Sequence, residues 1–110
     1  MNSNWIYSRL ATDPELGNMV DVFVQRMPDR IRTIESQATR RNWERLARTA
    51  QQLKGAAGSH GFDDITPYAA RLERTAEEAS QEERIFAAVD ELVELCRRVR
   101  PGKPQTFWEF

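Results

Sequence analysis

Arg48-Thr49-Ala50-Gln51-Gln52-Leu53-Lys54-Gly55-Ala56-Ala57-Gly58-Ser59-His60-Gly61-Phe62 holds three of the five glycines and the only histidine of this 110-residue chain. At about 100° per residue, Leu46, Ala50, Leu53 and Ala57 fall on one side of a helix. Gln51, Lys54, Gly55 and Gly58 fall on another, at i, i+3, i+4 and i+7, and Glu44 and Arg48 extend that second stripe toward the N-terminus. Glycine within a helix costs up to about 1 kcal/mol relative to alanine. Two glycines on one polar face suit the close approach of another surface, or else Gly58 begins to unwind the helix end. His60 lies nine residues after Gln51, half a turn round the helix, and so points to the core or the helix end beside Phe62. A packed residue with satisfied ring nitrogens is the main reading; a pH-sensitive contact or a surface residue is the remainder. The glycines do not follow a strand, as a phosphate-binding loop would require.

Outward from this stretch the chain reads as helix almost throughout. Trp5 to Leu10 suggests a short leading helix. Thr12-Asp13-Pro14-Glu15 has a cap, a proline at the first helical position and capping-box spacing. It opens a helix whose apolar stripe is Leu16, Met19, Val20, Phe23, Met27, Ile31 and Ile34, with a kink or break expected from Pro28 near Val24 to Met27. Asn42 caps the next helix, which contains the quoted stretch. Thr66-Pro67 opens a third with Tyr68, Ala69, Leu72 and Ala76 inward. Ser80-Gln81-Glu82-Glu83 reads as a capping box for a last helix with Ile85, Phe86, Val89, Leu92, Val93 and Val99 on its face. Short connections favour antiparallel neighbours. The expectation is an all-α, up-and-down antiparallel four-helix bundle with a short additional N-terminal helix. Residues 1–100 form the bundle and 101–110 a Pro/aromatic tail. Trp5 and Trp43 are expected to pack, and the tail's Phe107, Trp108 and Phe110 to fold back on the bundle or dock on another chain.

Composition narrows the function. The hydrophobic fraction of 40% is enough for one core, and the net charge of −1 argues against a general nucleic-acid binder. The charge is unevenly spread: Arg40 to Lys54 holds five basic residues against one acid, and Glu73 to Glu94 eight acids against two arginines. Solvated helix faces explain this, as does a basic surface that meets an acidic partner. One histidine excludes a two-histidine metal site and gives no basis for a Ser/His/Asp triad. Cys96, the lone cysteine, cannot form an internal disulfide and reads as a small buried hydrophobe, which points to a reducing cytoplasm. No apolar run is long enough to cross a bilayer, and Met1 to Trp5 lacks signal-peptide character. No cofactor is expected.

The quoted stretch resembles the core of the histidine-containing phosphotransfer (HPt) domain family, whose pattern is His-x-Leu-Lys-Gly, then small residues and a further glycine. Leu53, Lys54, Gly55, Gly58 and Gly61 fall in register. Phe23 to Ile31 resembles the family's preceding helix, with its mid-helix proline. Asn42 to Ala47 resembles the start of the active helix, and Ala69 to Glu73 the helix after it. The resemblance runs from about Trp5 to Val99. It implies an exposed histidine that takes a phosphoryl group in line from a receiver-domain aspartate and passes it on, the protein being a carrier rather than an enzyme. It places Lys54 beside that phosphoryl group and lets Gly55 and Gly58 admit the partner.

The position of the phosphorylated histidine aligns with Gln51. A glutamine amide has its nitrogen lone pair delocalised into the carbonyl and cannot act as imidazole does, though it can still hydrogen-bond. The expectation is therefore a domain that docks a response-regulator receiver, or a hybrid histidine kinase, without phosphotransfer. The docking face is Glu44, Arg48, Gln51, Gln52, Lys54, Gly55 and Gly58. Two alternatives stay open: an active phosphorelay protein in which Gln51 is an introduced substitution, and a structural or oligomerising bundle. A cytoplasmic monomer is the favoured state.

Overall fold

The last turn of each helix and the residues that leave it set the layout of this chain, of which the computed structural model describes residues 5–103. Four helices account for most of it: α1 (Gly17–Thr39), α2 (Trp43–Ser59), α3 (Thr66–Glu78) and α4 (Glu82–Cys96). The main packing runs from α1 to α2, α2 to α3, α3 to α4 and α4 back to α1, which is a helical bundle. Buried stripes meet along the bundle axis: Val20, Phe23, Met27, Ile31, Ile34 and Ala38 from α1, Leu46, Ala50, Leu53 and Ala57 from α2, Ala69, Leu72 and Ala76 from α3, and Ile85, Val89, Leu92 and Cys96 from α4. Alanines on the facing stripes of α2 and α3 let these two helices pack most extensively.

The leading helix expected over Trp5 to Leu10 is absent. Ile6–Tyr7 (β1) is extended and pairs in parallel with Val99–Arg100 (β2), with Ile6 opposite Val99. A helix of six residues cannot offset its nucleation cost, whereas pairing buries Ile6 against Val99 and satisfies its amide at the Arg98 carbonyl, 2.8 Å away. Val99 accordingly belongs to β2, not to the face of α4. Trp5 does not pack inward: it is exposed, with the Arg100 guanidinium 3.7 Å from its ring centroid. Trp43 does pack, edge-on to Phe86 at 5.9 Å.

Other boundaries also shifted. Asp13 acts as a cap, accepting from the amides of Glu15 and Leu16, but it closes a turn, and the regular helix begins only at Gly17. Pro28 does not break α1, which is continuous over 23 residues. The proline lies on the exposed side, so that its ring faces away from the core and the cost is one missing intrahelical bond. Asn42 caps α2 as expected, its side-chain oxygen accepting from the Arg45 amide at 3.2 Å. Thr66-Pro67 opens α3. No side-chain cap forms at Ser80 to Glu83: Gln81 takes the cap position and Glu82 turns to Arg41, 3.1 Å away. Met19 and Tyr68, expected inward, are exposed, because each stands one residue, about 100°, before the first buried residue of its helix. The tail aromatics Phe107, Trp108 and Phe110 lie outside the described residues.

Candidate functional site

The quoted stretch forms α2 and its exit, and its two ends are held by different chemistry. At the start, the Asn42 cap and Glu44 in the first turn satisfy free amides and the positive end of the helix dipole. At the end, the Gly61 amide donates to the Gly58 carbonyl and the Phe62 amide to the Ala57 carbonyl, a Schellman motif, with Phe62 buried beyond it. Gly61 has φ +81°, and a Cβ there would collide with the Ser8 hydroxyl and lie 3.0 Å from the Leu10 side chain. This glycine is required by the fold itself.

Gly55 and Gly58 differ from it. A Cβ on Gly55 would meet nothing within 4 Å, and one on Gly58 only the Thr66 hydroxyl at 3.9 Å, an ordinary contact. Neither glycine is demanded by packing within the chain. Gln51, Gln52 and Gly55 are exposed, as are Glu44 and Arg48. Glu44 and Arg48 pair at 3.7 Å across one turn. With Gln51 they line one wall of a shallow concavity of about 440 Å³, whose other wall is Ala76 and Glu77 of α3. Gln52 turns to the α1 side, where it lines a second hollow with Arg26, Asp29 and Thr49. The expected face is therefore split: Gln51 looks toward α3 and Gln52 toward α1.

Lys54 does not stand free. Its ammonium donates to a Glu73 carboxylate oxygen on α3 at 2.7 Å. Sequence reading missed this pair. The opposite charge blocks were visible, but which acid meets which base depends on how α2 and α3 pack. A second link of the same kind joins Arg41 to Glu82 of α4. Part of the charge asymmetry is thus neutralised within the bundle.

His60 sits at the C-cap of α2, away from Gln51. Its Nδ1 donates to the Ala56 carbonyl at 2.6 Å, its ring stacks on Phe23 at 4.7 Å, and its own carbonyl accepts from the buried Ser8 hydroxyl. The histidine is a packing and capping residue here. Cys96 is buried, and burial pushes its thiol up from 9.0 to about 12, with Arg30 pulling the other way. Among the described residues there is no group of three or more His, Cys, Asp or Glu able to hold a metal, and no helix is long and apolar enough to cross a membrane.

The structure is thus a four-helix bundle with a polar, glycine-bearing face on its second helix. The Hpt domain family model matches residues 18–101, most of the chain, and the protein belongs to that family. Searches of curated proteins and of solved structures gave no match. Hpt domains carry phosphoryl groups in phosphorelays and interact with response-regulator receiver domains.

Proposed function

We propose that this chain is a phosphorelay docking module. It binds the receiver domain of a response regulator, or of a hybrid histidine kinase, through the exposed side of α2, and it does not carry the phosphoryl group itself. One observation carries the reading: the outward stripe of α2 keeps Gln51 and Gly55 exposed, with empty space where a Gly55 side chain would be. A helix that served only its own bundle would gain up to about 1 kcal/mol from alanine at such a site. A surface that admits a partner's bulk is the physical reason to keep glycine there.

On this reading Gln51 occupies the place of the family's phosphorylated histidine. Its amide reaches toward a receiver and hydrogen-bonds, but offers no nucleophilic lone pair. Glu44, Arg48, Gln52, Lys54 and Gly58 complete the contact surface, and the short connections favour antiparallel helices that hold it rigid. The module acts as a cytoplasmic monomer. The test is calorimetric titration against a panel of receiver domains, followed by incubation with the phosphorylated receivers. Micromolar binding to at least one receiver, weakened by Gly55→Arg, with no acid-labile phosphate on the chain, is the expected result. Acid-labile phosphate on the native chain overturns the inactive reading. Absence of receiver binding by both the native chain and Gln51→His overturns docking and favours a structural bundle.

A further inference from the structure

Two cations flank Gln51 on α2, Arg48 one turn before it and Lys54 one turn after it, and both already face carboxylates. Arg48 pairs with Glu44 and Lys54 with Glu73. A further acid, Glu77, lines the concavity that Gln51 opens onto, one turn beyond Glu73 on α3. The Lys54 pair is the tighter of the two at 2.7 Å, and its carboxylate is the more enclosed partner: 13% of the Glu73 side chain is exposed, against 37% for Lys54. An enclosed carboxylate is costly to leave without its cation.

We propose that Glu73 is an internal competitor for the phosphoryl position: its carboxylate takes the cation that would otherwise stabilise a phosphoryl group at residue 51. This rests on the reading that position 51 corresponds to the family's phosphosite. Lys54 has three donors but a single charge. A phosphoryl group of about two negative charges at position 51, together with Glu73, sets three negative charges against that one. Phosphotransfer at this face is thus blocked twice over, by an amide that cannot attack and by a lysine whose single charge Glu73 already engages. Restoring the nucleophile alone leaves the second block in place.

The experiment compares Gln51→His with Gln51→His/Glu73→Gln, using phosphoramidate as donor and acid-labile phosphate on the chain as readout. In the reaction an imidazole nitrogen lone pair forms the N–P bond, the donor's P–N bond breaks and ammonia leaves. The double variant is expected to be phosphorylated about fivefold faster, the size of a well-placed and partly exposed charge pair. Adding Lys54→Ala to both should abolish the difference. Equal rates in the first two chains, or a gain that survives Lys54→Ala, overturns the competitor role while leaving the phosphosite reading intact. No phosphate on any Gln51→His chain overturns the phosphosite reading and the competitor role with it. Melting curves verify folding, and Glu73→Ala is the second neutral variant should glutamine not be accommodated.

Discussion

Of three glycines within seven residues one is required by the fold and two are not, and the space around each decides which. Gly61 is locked by its φ of +81° and by the Ser8 and Leu10 side chains. Gly61→Ala should destabilise the protein by at least about 1–2 kcal/mol, since an L-residue is strained there and its Cβ has no room; urea denaturation measures it. Gly55 has open space around it. Gly55→Ala should raise stability by up to about 1 kcal/mol and raise the melting temperature by a few degrees. The same substitution should leave receiver affinity lower or unchanged, never higher, if close approach is why glycine stands there. His60 shows the same logic from the other side. Its position relative to Gln51 and its bond to the Ala56 carbonyl four residues back are local to α2, whereas its stacking on Phe23 required the packing of α1 against α2.

Helix ends are where element-level reading succeeded and failed. Asn42 and Ser80 both carry cap signatures, yet only Asn42 makes the bond. Asn42→Ala should cost about 1 kcal/mol, and Ser80→Ala less than about 0.5 kcal/mol, in thermal or urea unfolding of the two variants side by side. The difference arises because Ala79 adopts φ 49° at the end of α3, and the chain enters α4 through Gln81 in an extended conformation. That geometry belongs to the α3–α4 connection as a whole and cannot be read from four residues. Pro28 is the converse case. Local chemistry predicts an interruption, but packing of Met27 and Ile31 on the bundle holds α1 continuous across it.

At the scale of the whole molecule, the core buries a thiol as well as hydrocarbon. With its pKa pushed up to about 12 in the folded state, Cys96 stays protonated where the unfolded chain's thiol, at 9.0, ionises. The stabilisation is therefore fully present below pH 9 and is lost as pH rises toward 12. Urea midpoints of the native chain should fall more steeply over that window than those of Cys96→Ala, and native Cys96 should react with iodoacetamide at pH 8 far more slowly than the unfolded chain does. Helical periodicity in the sequence determined the four main helices, most of the stripe that each turns inward (Met19 and Tyr68 excepted), and that Gln51, Lys54, Gly55 and Gly58 share one face of α2, because these follow from a fixed rotation per residue. It did not determine that Trp5 to Leu10 would abandon a helix to pair Ile6 with Val99, nor that Lys54 would be claimed by Glu73 nineteen residues on. Those are contacts between segments remote along the chain. Only the packing of the elements brings such partners within bonding distance, and the polarity of a residue says that it will seek a partner without saying which one.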